Sequence, residues 1–376
     1  MTNSVEFPLR EDLVYLNHAS YGVPTVETLR VQQQVRDEIE KDTAYFYSDR
    51  LEAEARRNLQ SLLDTFELPD VGEYTLTANA TEGANAFFSS ALKTHEDGVA
   101  YFSTEYSSVI QTVEEKCAAI GAQTVQIPVD LPADKEGIVA AVRDLPSEVR
   151  FLLASLVSSS HAITFPIDDL ADACKELRIT LVVDASHCLG LVPWPRLHPS
   201  ISCIFGSVHK WLPTARGVGI LWARTPDSIR PATVALRRDE STLLGRFCWR
   251  GTWDPSAWLT VESATMQYRE WSERGLLAEA EDRANALATG LARRGCTPTQ
   301  RIDRSNPRMM CFQVPGVTKG ELKKRLYDGG LRAWIGADAP NGSLLRFATH
   351  IYTTDADVER FFKHIDTIVH ARRNKG

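Results

Sequence analysis

The chain has 376 residues, 43% hydrophobic and 24% charged, which is an ordinary globular composition with enough length for two domains sharing a large core. Its net charge of −7 and the lack of an extended basic run argue against nucleic acid or an anionic membrane as the main partner. No stretch approaches about 18 uninterrupted apolar residues, and the N-terminus lacks the pattern of a signal peptide, so we expect a cytoplasmic protein.

Cysteine and histidine usage points away from disulfides and metals. The seven cysteines are scattered without a Cys-x-x-Cys pair, which favours reduced thiols that mostly fill the core. The nine histidines form no metal-ligand spacing. We therefore predict no metal site.

In chain order, the first predicted elements are a short strand over 13–16 and a long helix that begins after Pro24. A turn-rich segment, 17–24, joins them. A strand over Tyr74–Thr77 follows, and another helix begins in the segment 79–85. The N-terminus of that helix would direct free N–H groups at a bound anion, although Thr81 fits a simple helix cap equally well.

Further apolar runs predict buried parallel strands over 98–102, 151–157, 181–183 and 201–205. The last two strands end in Asp184 and, after a few small and polar residues, in Lys210. Either residue alone is more often a helix cap or a solvated charge. Together they indicate a site at the carboxyl edge of an α/β sheet, where ligands usually bind. Burial there would favour the neutral amine that a Schiff base requires.

The pattern Asp184-x-x-His187 followed by Ser207-x-His209-Lys210 resembles the core of the fold-type I pyridoxal-phosphate enzymes. The nearest subset is the class V aminotransferase superfamily, which includes cysteine desulfurases and isopenicillin N epimerase-like proteins. The resemblance covers nearly the whole chain, because it recurs in the segments 15–22, 79–83, 250–252 and 345–347.

The resemblance implies an α/β fold, in which a large domain with a mainly parallel seven-stranded sheet is followed by a small C-terminal α+β domain. We expect an N-terminal arm over 1–17, a large cofactor-binding domain over 18–256 and a small domain over 257–376. It also implies a homodimer with shared active sites and an amino acid as the small-molecule substrate.

The implied cofactor is pyridoxal 5′-phosphate. Lys210 would carry it, Asp184 would keep its pyridine nitrogen protonated, and His187 would donate to its phenolic oxygen. Ser159 stands where desulfurases have an asparagine, so the contact of that residue with the same oxygen is weaker. The other residues that the resemblance assigns to the cofactor are Ala80 and Thr81 at the phosphate, Tyr106 stacked on the ring, Ser207 and His209 beside the lysine, and Gly251 and Thr252, which would reach the phosphate of the partner subunit.

The substrate is expected to meet the turn that contains Asn17, His18, Ala19 and Tyr21, which borders the pocket in the resembling family. Arg346 lies in the middle of a predicted apolar strand, where an unpaired charge is costly. Its anionic partner is either the α-carboxylate of the substrate, which is the role implied by the resemblance, or a structural carboxylate.

The absence of one cysteine narrows the set of possible reactions. Desulfurases carry a nucleophilic cysteine shortly before the carboxylate-binding arginine, whereas the last cysteine here, Cys311, precedes Arg346 by 35 positions (346 − 311) in a predicted strand. We favour a C–S lyase that acts by β-elimination on an S-substituted cysteine or its sulfoxide, in a thiol-histidine or natural-product pathway. The alternatives are an aminotransferase, an epimerase or a decarboxylating enzyme of the superfamily, and a catalytically silent cofactor-binding regulatory protein.

Overall fold

The computed structural model describes residues 5–236, 241–301, 306–339 and 342–373. The strands are β1 (Val14–Tyr15), β2 (Glu73–Thr77), β3 (Gly98–Phe102), β4 (Thr124–Ile127), β5 (Val149–Ser155), β6 (Thr180–Asp184), β7 (Ile201–Ser207), β8 (Gly219–Ala223), β9 (Thr297–Pro298), β10 (Met309–Pro315), β11 (Leu331–Arg332), β12 (Trp334–Ala339) and β13 (Gly342–Ala348).

The α-helices are α1 (His18–Tyr21), α2 (Val26–Lys41), α3 (Thr43–Tyr45), α4 (Leu51–Thr65), α5 (Ala80–Ala91), α6 (Ser107–Ile120), α7 (Lys135–Arg143), α8 (Ile167–Leu177), α9 (Leu243–Cys248), α10 (Val261–Glu273), α11 (Leu276–Arg293), α12 (Lys319–Asp328) and α13 (Asp355–Arg373). A π-helical segment, Phe46–Arg50, joins α3 to α4. A 3-10 turn, Val208–Lys210, follows β7 directly and carries the predicted reactive lysine.

The large sheet has seven strands in the order β2-β8-β7-β6-β5-β3-β4. Strand β8 runs antiparallel to both of its neighbours, and the other pairings are parallel. The prediction of a mainly parallel seven-stranded sheet is therefore confirmed. Because β6 and β7 are adjacent and parallel, their carboxyl ends bring Asp184 and the lysine turn to the same edge of the sheet.

Two apolar layers cover the faces of this sheet. Leu181 and Val183 of β6 pack into one cluster together with residues of α4, α7 and α8. Val182, which points the other way, packs into a second cluster with residues of α5 and α6. This alternation has the period of two that a strand imposes, and it explains why β6 is apolar on both faces.

A smaller antiparallel sheet in the order β12-β13-β10-β9 forms the C-terminal part of the fold. Residues of α11, α12 and α13 pack on it in a separate core cluster. Val14 and Leu16 join the same cluster, and β1 pairs in parallel with β11. The N-terminal segment is thus fastened to the C-terminal part, and the proposed boundaries at 17 and 256 stay a prediction.

The charges and alanines between Ala257 and Leu291 recur at helix spacing, which predicts a helical run, and this run is divided in the structure. A 3-10 turn and α10 come first, and α11 begins only after Gly275, whose φ of +72° lies in the left-handed region. Within the described residues, no helix combines the length and the apolar character needed to cross a membrane. The described part of the chain also contains no group of three or more His, Cys, Asp or Glu side chains that could hold a metal ion.

Candidate active site

Asp184 and Lys210 form the centre of the site at the carboxyl edge of the sheet. Asp184 is 3% exposed, and its carboxylate accepts a hydrogen bond from the Ser186 N–H at 2.8 Å. Burial raises the pKa of Asp184, against the lowering effect of the Ser186 hydrogen bond and of Lys210. Burial also favours the neutral form of Lys210 and lowers its pKa to about 8, although Asp184 opposes this shift. The site therefore holds an amine that is partly neutral near physiological pH.

His187 lies directly beside this lysine. Its Nε2 is 3.3 Å from Lys210 Nζ, and its Nδ1 accepts a hydrogen bond of 3.1 Å from the indole of Trp211. Burial lowers the pKa of His187 well below its usual value, and the nearby charges of Lys210 and Arg346 act in the same direction. His187 is thus a neutral imidazole in contact with the amine of Lys210.

The N-terminus of α5 supplies the expected anion site. Asn79 caps the helix through its side-chain oxygen, which accepts from the Glu82 N–H at 2.9 Å. The Ala80 N–H lies 3.4 Å from Ser207 Oγ, so the end of β7 and the start of α5 meet at one point. Asn79, and not Thr81, is therefore the helix cap. Thr81 lines the adjacent cavity.

A cavity of about 260 Å³ opens between these elements. Most of the residues predicted for cofactor or substrate line it. They are Tyr21, Ala80, Thr81, Tyr106, Ser159, Ser207, His209, Lys210 and Arg346. The ring of Tyr106, which is 43% exposed, has its centroid 5.8 Å from Lys210 Nζ and so stands near the reactive amine.

Arg346 is the second cation of the cavity. Its Nη2 donates to Ser20 Oγ at 2.7 Å and to Asn17 Oδ1 at 3.2 Å, its Nη1 donates to the Ser159 carbonyl, and its Nε has no partner. Among the described residues these partners are all neutral, so no structural carboxylate cancels the charge. Burial lowers the pKa of Arg346 to about 10, and the guanidinium stays protonated at neutral pH. A buried, uncompensated guanidinium is suited to an anionic ligand.

Three predicted substrate contacts fall outside the cavity. Asn17 accepts a hydrogen bond from Arg346 and does not itself line the cavity. His18 is buried and stacked on His350 with ring centroids 3.9 Å apart, while its Nδ1 lies 3.0 Å from the Tyr352 hydroxyl. Ala19 is completely buried in the core. The segment 17–21 adopts a turn of helix, which sends these side chains inward while Ser20 and Tyr21 face the cavity.

Gly251 and Thr252 do not line this cavity either. They follow Arg250, whose Nη1 lies 2.6 Å from Glu82 Oε1 in the first turn of α5. Gly251 has φ +90°, and a Cβ added there would meet nothing within 4 Å in the same chain. Their contact with the phosphate of a partner subunit stays a prediction.

Sequence reasoning missed several residues of the site. Trp334, Ser20, Asn79 and Ser186 also line the cavity. Ser20 and Asn79 lie inside the segments that carry the resemblance, whereas no sequence signal marked Trp334 as facing the site. Glu105 lies outside the cavity lining, but burial and the nearby Asp184 raise its pKa to about 8, and it accepts hydrogen bonds from the amide and hydroxyl of Ser155.

The fold resembles that of solved proteins along most of the chain. A solved cysteine desulfurase from Escherichia coli matches with a TM-score of 0.77 at 16% identity, covering 97% of both chains. A cystine C–S lyase, solved in complex with cysteine persulfide, matches with a TM-score of 0.78 at 16% identity over 93% of this chain and 96% of that one. At such identities the likeness shows the fold.

Three curated relatives are similar in sequence. An isopenicillin N epimerase from Streptomyces clavuligerus is 25% identical over 78% of this chain and 79% of its own length. A putative L-cysteine desulfhydrase from rice, Oryza sativa subsp. japonica, is 25% identical over 65% of this chain and 55% of its own length. A probable hercynylcysteine sulfoxide lyase from Mycobacterium tuberculosis is 31% identical over 28% of this chain and 30% of its own length.

A half-buried lysine and a buried aspartate at the sheet edge, in a chain that matches one family model over most of its length, define a pyridoxal-phosphate-dependent enzyme. The family model Aminotransferase class-V matches residues 50–361, and the chain belongs to that family. The residues present fit its cofactor. The α5 N-terminus and Ser207 offer donors to a phosphate, Asp184 offers a carboxylate to a pyridinium, and Lys210 offers an amine to the aldehyde.

Proposed function

We propose that the enzyme is a C–S lyase that releases pyruvate, ammonium and a sulfur leaving group from an S-substituted cysteine or its sulfoxide. One observation carries the proposal: the cavity combines an amine base and a guanidinium that no carboxylate among its hydrogen-bond partners neutralises, but no thiol. All seven cysteines lie in the described part of the chain, are buried, and are absent from the cavity lining. Without a protein nucleophile for sulfur, the sulfur must leave with its own electron pair.

The buried thiols are also poor nucleophiles. Burial raises the pKa of Cys311, the cysteine nearest to Arg346 in the chain, to about 12. Cys311 is paired opposite Arg346 in the β10–β13 ladder, inside the sheet and not on a loop. A persulfide on this side chain is therefore not part of the proposal. The desulfhydrase and sulfoxide lyase names of two relatives agree in kind with β-elimination.

Arg346 and Lys210 divide the work on the substrate. The guanidinium of Arg346 binds the α-carboxylate and, because it is fixed by Ser20, Asn17 and the Ser159 carbonyl, it sets the orientation of the α-carbon. Lys210 Nζ is the base that takes the α-proton. Pyridoxal phosphate, when bound, supplies an electron sink for the charge left on the α-carbon.

Asp184 and Tyr106 act on the cofactor in this proposal. The buried carboxylate of Asp184 would keep the pyridine nitrogen of the bound cofactor protonated, and the ring of Tyr106 would stack on the cofactor. We further propose that the enzyme is a cytoplasmic homodimer in which Gly251 and Thr252 reach the partner's phosphate site.

Epimerisation is the second candidate, because the similarity to isopenicillin N epimerase covers 78% of this chain. An epimerase returns a proton to the opposite face of the α-carbon, whereas a lyase loses the β-substituent first. Both share Lys210, Asp184 and Arg346, so the substrate decides between them.

Product analysis separates the candidates. The holoenzyme is incubated with a panel of S-alkyl and S-aryl cysteines and their sulfoxides, and with plain amino acids, and Lys210→Ala serves as the control. The lyase yields pyruvate and ammonium in equal amounts with one thiol or sulfenate. A keto acid that retains sulfur, carbon dioxide release or inversion at the α-carbon without pyruvate would each reject it.

A further inference from the structure

The hydrogen bond from Trp211 to His187 determines which nitrogen of the imidazole carries the proton. An indole N–H only donates, so the His187 Nδ1 that it reaches at 3.1 Å must be an acceptor. A neutral imidazole has one protonated nitrogen, and here it must be Nε2. That nitrogen is the one 3.3 Å from Lys210 Nζ.

The environment also prevents His187 from taking a second proton. Trp211 is fully buried and His187 is 1% exposed, so water cannot replace the indole at Nδ1. A proton on Nδ1 would place two N–H groups against each other. The cations that face the ring, Lys210 and Arg346, oppose a further positive charge.

The proton on His187 Nε2 affects the protonation of Lys210. A protonated Lys210 ammonium finds only another N–H at His187 Nε2, whereas a neutral amine can accept that proton through its lone pair. We propose that Trp211 is a positioning residue that fixes His187 as an Nε2–H donor, which holds Lys210 in its neutral, reactive form. This rests on the proposed function only in taking Lys210 as the reactive lysine.

Other packing holds the indole in place. The Arg308 guanidinium lies over the Trp211 ring at 5.2 Å and donates to the Gly190 carbonyl. The imidazole of His18 packs against the indole with centroids 5.5 Å apart. Arg308 immediately precedes β10. The C-terminal part of the fold therefore packs against the Trp211 indole, which determines the tautomer of His187. This gives the buried His18 a supporting role in place of the substrate contact predicted for it.

The other titratable groups near Lys210 also bear on its protonation. Asp184 favours the ammonium, and Arg346 and burial favour the neutral amine. His209 is itself kept neutral, because burial lowers its pKa to about 4. The hydrogen bond from His187 therefore adds to burial and Arg346 against Asp184, and removing it should move the lysine toward its charged form.

Nitrogen NMR of the histidine side chains tests the first half of the proposal without any turnover. In protein labelled with ¹⁵N-histidine and stripped of cofactor, the His187 pair is assigned by its loss in His187→Gln. We expect a pyridine-type Nδ1 and a protonated Nε2 that stay unchanged from pH 6 to 9. A protonated Nδ1, or titration in this range, overturns the proposal.

Trp211→Phe tests the second half, with Trp222→Phe as its matched control. Trp222 is also fully buried and donates its indole N–H to a backbone carbonyl, that of Val71 at 2.5 Å, but it lies outside the cavity lining. In Trp211→Phe we expect both His187 nitrogens to show exchange-averaged shifts. We also expect the pH midpoint for capture of pyridoxal phosphate to rise by about half a unit.

The control should leave both readouts unchanged. An unaltered His187 spectrum in Trp211→Phe would show that the indole does not set the tautomer. An altered spectrum with an unchanged midpoint would overturn the link to the lysine. Neither readout depends on which substrate is turned over, so a failed lyase assay leaves this inference standing and can be distinguished from its failure.

Discussion

The pKa of Lys210, the proposed reactive lysine, depends on where the chain places it. A lysine at the surface is almost entirely protonated at neutral pH, whereas burial lowers the pKa of Lys210 to about 8. Only the neutral amine attacks an aldehyde, so the neutral fraction grows as pH rises toward this value. The cavity thus increases the neutral fraction of the Lys210 amine before cofactor or substrate binds.

The rate of cofactor capture should follow this titration. When pyridoxal phosphate is added to the cofactor-free enzyme, we expect the second-order rate of visible absorbance change to rise about tenfold per pH unit below 8 and to level off above it. Borohydride should then fix the cofactor on Lys210, as peptide mapping will reveal. A midpoint near 10, or label on another lysine, would contradict the assignment.

Arg346 makes a second prediction at the residue scale. Arg346→Ala should lower kcat/KM by roughly 10²-fold, because it removes charge-assisted hydrogen bonds to the α-carboxylate. Arg346→Lys should recover only part of this loss, since an ammonium cannot replace the planar fork.

A neutral substrate analogue provides the control for Arg346. The wild-type enzyme should have a much lower kcat/KM for the α-carboxamide of its substrate than for the substrate itself. Arg346→Ala should have similar kcat/KM values for the two. If the variant kept the full preference for the carboxylate, the guanidinium would have only a structural role through Ser20, Asn17 and Ser159.

At the scale of elements, the turn after α1 is packed directly on the lysine turn. Gly22 has φ +64°, and a Cβ added to it would stand 1.8 Å from the His209 carbonyl oxygen. The first helical turn and the active-site turn therefore touch backbone to backbone, and only glycine permits this approach.

Gly22→Ala should therefore perturb both stability and the site, and Gly275→Ala is its matched control. Both glycines have φ near +70°, but a Cβ at Gly275 meets nothing within 4 Å. Each alanine should cost about 1 kcal/mol or more for the left-handed backbone. Only Gly22→Ala should add a further loss in melting temperature, of about 2 °C or more, and weaken cofactor binding. Equal effects of the two variants would argue against the clash.

At the scale of the whole molecule, the site depends on assembly if Thr252 acts across a subunit boundary. The loop that carries it starts at Arg250, which forms an ion pair with Glu82 beside the proposed phosphate site and packs against Trp253 and Trp258. An exposed Thr252 on such a loop is free to face a second copy of the chain.

We expect a two-fold homodimer by light scattering, with cofactor affinity that falls when the protein is diluted below its dimerisation constant. Thr252→Val keeps the shape of the side chain and removes the hydroxyl, and it should weaken cofactor binding several-fold without dissociating the dimer. A monomer with full activity and unchanged cofactor affinity would contradict shared sites.

The sequence by itself determined the class of fold and predicted the centre of the candidate site. The apolar runs that end in Asp184 and Lys210 predict neighbouring parallel strands, and their carboxyl ends must meet at one edge of a sheet. Local chemistry also marked the α5 N-terminus, because capping and anion binding use the same free N–H groups. Such inferences need only neighbours along the chain.

Only the tertiary structure decided which side chains face the cavity. The segment that contains His18, Ala19 and Tyr21 is one turn of helix, and its rotation buries the first two and exposes the third to the site. Trp334 enters from a separate sheet, and Trp211 reaches His187 only because a 3-10 turn follows β7. These contacts join residues that are distant in sequence, and their geometry depends on packing between elements, which no local pattern records.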